Sequence, residues 1–199
     1  MKILAFADTH LSVPAVQRIM KRAPEADILV CPGDISWFGV GLKNILAALD
    51  KLNKPLYIIP GNHEEPTDDL ETLCKKLKNV HYVHKKVLKI HGFTFFFWGT
   101  GGFAPRDRGF EKAMDAFKKT ITKDDKVILV THGPAFGTPL DHLAWAGHVG
   151  SQSQRKFLVE IKPVLHISGH LHEHMYEKHL FQKRTVLVNA GAAGTMIEI

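Results

Sequence analysis

Ile3-Leu4-Ala5-Phe6-Ala7-Asp8-Thr9-His10 opens the chain with five apolar residues and runs into an acid and an imidazole. An apolar run without alternation suits a strand buried on both faces, the kind found inside parallel sheets. Ligands and catalytic groups of such sheets collect beyond the carboxyl ends of the strands. Four later runs repeat the pattern. Asp27 to Val30 leads into Cys31-Pro32-Gly33-Asp34, and Leu56 to Ile59 into Pro60-Gly61-Asn62-His63-Glu64. Val127 to Val130 leads into Thr131-His132-Gly133-Pro134, and Val164 to Ser168 into Gly169-His170-Leu171-His172-Glu173. All five ends carry Asp, Asn or His within four residues. Turn chemistry favours Asp and Asn there as well, so the pattern alone does not decide between a site and a set of turns.

Amphipathic stretches separate these runs. Helices are expected at Val13 to Lys21, Leu42 to Lys51, Pro66 to Leu77, Asp107 to Thr120 and Gln152 to Ile161, with Phe110, Met114 and Phe117 near helical spacing. Pro66 suits a first turn, and Asp68, Asp69 and Glu71 suit the N-terminal dipole. Val80 to Val83, Val87 to Ile90 and Phe93 to Trp98 read as strands, the last two joined by a tight turn at His91-Gly92. His174 to Lys178, Thr185 to Asn189 and Met196 to Ile199 finish the chain as strands. Gly133 to Ser151 reads as a long loop of functional character. The strands are too many for one simple sheet. The expected fold is α/β: a four-layer α-β-β-α sandwich of two mixed sheets flanked by helices, in a single domain spanning 1–199.

Composition narrows the class. With 199 residues, 45% hydrophobic and 23% charged, the chain has the profile of a soluble globular protein. No apolar run approaches the eighteen or so residues that span a bilayer, and Asp8 arrives too soon for a signal peptide. Cys31 and Cys74 cannot make a disulfide framework, which points to a reducing, cytoplasmic compartment. The net charge of +6 favours anionic partners. Lys75, Lys76, Lys78, Lys85, Lys86 and Lys89 form a denser basic stretch that permits nucleic acid without favouring it. No membrane partner is expected.

The chemistry lies in the spacing. In Asp8-x-His10 and His170-x-His172 the members stand two apart, which in extended backbone places both on one face, so that each pair can grip one ion. Gly33, Gly61 and Gly169 directly precede Asp34, Asn62 and His170, where a glycine permits a sharp turn and close approach. Imidazole, carboxylate and amide donors suit Mn²⁺, Fe, Co or Zn rather than a Ca²⁺ cage or a thiolate finger. With one carboxylate shared, they suffice for two ions.

The ordered set Asp8-x-His10, Gly33-Asp34, Gly61-Asn62-His63-Glu64, His132-Gly133-Pro134 and Gly169-His170-x-His172 resembles the calcineurin-like metallophosphoesterase superfamily, and its small phosphodiesterase-like members in particular. The resemblance implies two divalent transition-metal ions, Mn²⁺ favoured over Fe, Zn, Co or Ni. It puts Asp8, His10 and His172 on one ion, Asn62, His132 and His170 on the other, and Asp34 between them. His63 would contact the phosphoryl oxygen or protonate the leaving group, making His63 and Asp34 the catalytic pair. The implied reaction is phosphoester hydrolysis by attack of a metal-bridging hydroxide.

The sequence departs from the phosphatase pattern next to these residues. Trp37 and Phe38 stand where an Asp and an Arg usually follow the Gly-Asp, and Glu65 follows Glu64. Without the arginine forks that grip a monoester dianion, a diester with a second organic arm is the favoured substrate, a small phosphoester with nucleotides among the candidates. A phosphomonoesterase, a nuclease and, from another class, a catalytically silent metal-binding scaffold are the alternatives. The missing Asp leaves the orienting partner of His63 unidentified. Trp37, His142 and His148 are candidate substrate contacts, although Trp37 serves equally well as core packing. Gly99-Thr100-Gly101-Gly102 with Arg106 and Arg108 reads as a plain connection slightly before a phosphate-facing loop.

Overall fold

A computed structural model describes residues 1–199 apart from Pro66 and Asp68. In chain order, β1 (Lys2–Ala5), α1 (Val13–Arg22), β2 (Ile28–Cys31), α2 (Leu42–Asp50), β3 (Leu56–Ile58), α3 (Asp69–Cys74) and β4 (Val80–Tyr82) form the first half. They are followed by β5 (Lys86–Ile90), β6 (Phe93–Trp98), α4 (Arg108–Lys118) and β7 (Lys126–Thr131). A small hairpin, β8 (His142–Leu143) and β9 (Gly147–His148), precedes α5 (Gln152–Glu160), β10 (Leu165–Ser168), β11 (Lys178–Phe181), β12 (Thr185–Asn189) and β13 (Thr195–Glu198).

Two mixed sheets result. The first has the order β13-β1-β2-β3-β4 and the second β11-β12-β10-β7-β6-β5. The inner strands of both are parallel, and β13, β11 and β5 run antiparallel. Alternation within the apolar runs sets the layers. Ile3, Ala5 and Ala7 face the second sheet, where they join Phe95, Phe97, Ile128 and Ile167 in the core between the sheets. Leu4 and Phe6 face the other way and pack with Ile19 of α1 and Ile45, Leu46 and Leu49 of α2. On the far side, Phe96 and Trp98 meet Phe110, Met114 and Phe117 of α4 and Phe157 of α5. The architecture is the expected four-layer sandwich, and the apolar runs lack alternation because each inner strand is covered twice.

Most elements fall within two residues of their expected bounds. His91 and Gly92 both adopt positive φ (48° and 81°), the geometry of a two-residue hairpin turn. Three expectations need correction. The helix expected at Pro66 to Leu77 spans only Asp69–Cys74, and its expected start at Pro66 and Asp68 lies outside the described residues. No strand runs from His174 to Lys178: His172–His174 is a 3-10 turn, and the strand begins at Lys178, where pairing with β12 sets its register. The segment from Gly133 to Ser151 is not structureless. It contains a 3-10 turn at Pro139–Asp141 and the β8–β9 hairpin. The buried Asp141 carboxylate gathers it by accepting from the backbone N–H groups of Gly137, Thr138 and Gly150.

Candidate metal centre

The loops that follow β1, β2, β3, β7 and β10 bring their polar residues to one place between the two sheets. The backbone there is not extended, contrary to the spacing argument. Asp8, His10, Asp34 and His170 all take left-handed conformations, with φ of 57°, 43°, 52° and 69°. Non-glycine residues held there are uncommon and store strain that the surrounding contacts must offset. Close approach explains two of the glycines: a Cβ on Gly61 would collide with the Asp34 carboxylate, and one on Gly169 with that of Asp8. One oxygen of each carboxylate is tied to backbone. Asp8 Oδ2 accepts from His170 N–H, across the two sheets, and Asp34 Oδ1 accepts from His63 N–H, both at 2.9 Å. The other oxygen of each turns inward.

Potential ligand atoms gather in overlapping groups: Asp8, His10 and His172; Asp34, His132 and His170; and His10, Asp34 and His63. Within each group the atoms lie within 4.8 Å of one another. Asp34 is common to two groups and sits between them. Asn62 joins through its Oδ1, 2.9 Å from His132 Nε2. The pair His170-x-His172 is divided between two groups, whereas Asp8 and His10 fall in the same one.

These residues fit a divalent cation on their own geometry. His132 Nδ1 donates to the Pro32 carbonyl at 3.0 Å, and His10 Nδ1 donates to the Ser36 carbonyl at 3.2 Å. Each backbone acceptor fixes the tautomer whose Nε2 lone pair faces the cluster. His132 Nε2 then meets Asn62 Oδ1 and Asp34 Oδ2, the latter at 3.3 Å. The Nε2 nitrogen and the two oxygens converge on one point, where a positive charge, a cation or a proton on Nε2, satisfies all three. Asp8 Oδ1 and His170 Nε2 are buried and have no hydrogen-bond partner among the described residues. The titration behaviour has the same origin. Burial pulls His132 down, but its hydrogen bond to Asp34 and the charges of Asp34 and Asp8 carry it up to about 9. Burial raises Asp8 to about 6 despite the nearby His132, while burial and the charge of His132 lower His170 to about 3. Asp34 is pushed up by burial, yet the hydrogen bonds and charges of His132 and His63 hold it below the usual carboxylate range. Cys31 is in none of these groups, and burial raises its thiol pKa well above the ordinary value.

His63 lies beside this cluster, its Nε2 3.9 Å from Asp34 Oδ2. Among the described residues its buried Nδ1 has no hydrogen-bond partner. Aromatic rings hold it instead. Phe38 packs on it at 4.4 Å and Trp37 at 4.7 Å between centroids, both edge-on. Trp37 also stacks on His10 at 3.9 Å, so it belongs to the walls of the cluster and not to the sheet core. Two of the three residues that depart from the phosphatase pattern, Trp37 and Phe38, are thus the ones packed on His63. Glu64 has a function that its place in the motif did not disclose. Its buried carboxylate accepts from the N–H groups of Asp34, Ser36 and Gly61 and from the Ser36 hydroxyl, binding the β2 loop to the β3 loop.

His142 and His148 lie apart from the three ligand groups and face each other across the β8–β9 hairpin at 5.0 Å. His148 Nδ1 pairs with Asp141 at 2.8 Å, and the His142 carbonyl accepts from His174 Nε2, which brings the hairpin against the His172–His174 turn. The glycine loop also borders the site: Gly102 lies next to Asn62, and Phe103 packs its ring on His170 at 4.5 Å. Arg106 is engaged with Gln152. In the basic stretch, Lys75 pairs with Glu71 and Lys89 with Asp125, which weakens the patch as an anion surface. No helix among the described residues is long and apolar enough to cross a membrane.

A family model described as calcineurin-like phosphoesterase matches residues 1–174. An uncharacterized protein of Methanocaldococcus jannaschii, MJ1162, is 30% identical over 187 residues, covering 87% of this chain and 81% of its own. Among solved structures, TT1561 of Thermus thermophilus superimposes with a TM-score of 0.75 at 16% identity, over 96% of this chain and 90% of that one. A structure described as a novel archaeal phosphodiesterase gives a TM-score of 0.56 at 17% identity, over 96% and 84%. At these identities the structural likeness shows a shared fold.

Proposed function

The chain belongs to the calcineurin-like phosphoesterase family, and on that premise we propose that it is a two-metal phosphodiesterase acting on a small diester. The observation that carries the diester reading is the packing of Trp37 and Phe38 on His63, where phosphatases of the pattern place an acid and an arginine. With no guanidinium fork at that position, the second negative charge of a monoester lacks its bidentate partner, whereas a singly charged diester does not need one. The relative described as an archaeal phosphodiesterase supports the same class.

Asp8, His10 and His172 would hold one ion, Asn62, His132 and His170 the other, with Asp34 between them. When bound, such ions neutralise the phosphoryl oxygens and make water acidic enough to attack at neutral pH. The protein supplies the rest. Asp34 is kept ionised by His132 and by the N–H of His63. His63 Nε2 reaches the rim of the cluster, where it can donate to a phosphoryl oxygen or to the departing alkoxide. Trp37 and Phe38 keep the imidazole in that position.

The test uses metal-stripped protein reloaded with Mn²⁺ and matched p-nitrophenyl mono- and diesters. Turnover at least about tenfold faster on the diester, abolished in Asp34→Asn and reduced about a hundredfold in His63→Ala, is expected. Faster turnover of the monoester would overturn the diester reading.

A further inference from the structure

Beside the metal cluster lies a cleft of about 470 Å³ lined by Phe103, Phe136, Trp145 and His148. We propose that this cleft receives a planar aromatic or heteroaromatic ring carried on the second ester arm of the substrate. The inference rests on the phosphoester reading of the metal centre and assigns the chemistry of the part of the substrate that the centre does not touch.

Continuity comes from Phe103, whose ring contacts that of His170 at 4.5 Å and also forms a wall of the cleft. A ligand anchored at the cluster therefore meets this ring first. Farther out, Phe136 lies 5.7 Å from the His148 ring, and Trp145 at the tip of the β8–β9 hairpin is 80% exposed. A tryptophan so open to water gains nothing from its position in the folded chain alone, and three aromatic rings on one cleft offer flat faces for stacking. The walls are held in place. Asp141, fully buried, fixes the segment through three backbone N–H groups and holds His148 through Nδ1 at 2.8 Å. That leaves His148 Nε2 as the polar atom of the ring available to a heteroatom of the guest. The volume suits one ring system.

Three singly charged phosphinates test this, since none has a cleavable ester and all share the anchoring group: methyl(4-phenylbutyl)-, methyl(4-cyclohexylbutyl)- and methyl(butyl)phosphinate. Calorimetric titration of the Mn²⁺-loaded protein is expected to show the phenyl compound binding at least about tenfold tighter than the butyl one, with the cyclohexyl compound clearly behind. Trp145→Ala and Phe103→Ala should each reduce the phenyl preference to below about threefold, and Trp145→Phe should restore most of it. Equal binding of the phenyl and butyl compounds, or a preference that survives in both alanine variants, overturns the cleft. Equal gains from phenyl and cyclohexyl overturn the assignment of a planar guest. Faster hydrolysis of monoesters together with an intact phenyl preference would overturn the diester reading and leave the cleft supported, so the two failures are distinguishable.

Discussion

Glu64 illustrates what a single buried residue does here. Every contact of its carboxylate is to a donor: Oε1 accepts from Ser36 N–H and hydroxyl, and Oε2 from the N–H groups of Asp34 and Gly61. Glu64→Gln turns an NH₂ group toward two of those donors and leaves them unsatisfied in the interior. A loss of about 2–4 kcal/mol is expected, read as a lowered urea midpoint, and weaker Mn²⁺ uptake should accompany it because Asp34 is no longer held. An unchanged midpoint would show that the loops hold each other without it. Trp37 offers a second prediction at this scale. It touches His10 by its face and His63 by an edge. Trp37→Ala should lower kcat on an aryl diester about tenfold while changing KM less than about twofold, the pattern of a positioning residue. A rise in KM with kcat unchanged would make Trp37 a substrate contact, as its sequence position also allowed. The sequence marked Glu64 as part of the motif and Trp37 as a departure from it. Neither its four donors nor the imidazole under the indole was legible, because both depend on loops brought together from different strands.

At the scale of elements, the strands are short and their ends carry the chemistry. The inner strands were readable because burial on both faces leaves unbroken apolar runs such as Ile3 to Ala7 and Phe95 to Trp98. The strand after His172 was misplaced because His174 to Lys178 offers no such run, and its pairing with β12 decides where β11 begins. The spacing Asp8-x-His10 pointed to the right pair for the wrong reason: left-handed turns, not an extended backbone, bring the two together. His166 lies within β10 and is fully buried, its Nε2 2.7 Å from the Thr131 hydroxyl. Burial lowers its pKa from 6.5 to about 3. The folded chain therefore binds this proton less readily than the unfolded one. The stability from the neutral ring is complete above about pH 6.5 and is lost as the pH falls toward 3. His166→Gln keeps a polar partner for Thr131 and removes the titration. Between pH 7 and pH 4.5 the variant should lose less stability than the parent, by on the order of 2–3 kcal/mol, in paired denaturant unfolding curves. Parallel losses in the two proteins would show that other groups set the acid sensitivity.

For the whole molecule, the candidate metal centre lies at the seam between the two sheets. Asp8, His10, Asp34 and Asn62 come from loops of the first sheet, and His132, His170 and His172 from loops of the second. A cation held by both sets would act as a clasp between the sheets and stabilise the fold as a unit. Mn²⁺ at about a hundred times its Kd is expected to add about 2.7 kcal/mol to unfolding, with EDTA reversing the gain. Asp34→Asn should lose most of it, because Asp34 joins the two halves of the cluster. An equal gain in that variant would show that the ions bind without the shared carboxylate.

The sequence by itself determined the class of fold and named the candidate donors that the folded chain gathers. Apolar runs report burial directly, and five strand ends in order carried the Asp, Asn and His residues that resemble one superfamily. Tertiary structure alone decided how those donors divide between groups, which nitrogen of His10 and His132 faces inward, and what orients His63. It alone placed Phe103 and Trp145 on one cleft beside His170. The physical reason is the range of the forces involved. Burial and periodicity act along a few neighbouring residues and leave a trace in the local pattern. Hydrogen bonds between loops and ring-to-ring packing join residues tens of positions apart, and only the completed stacking of the two sheets sets those distances.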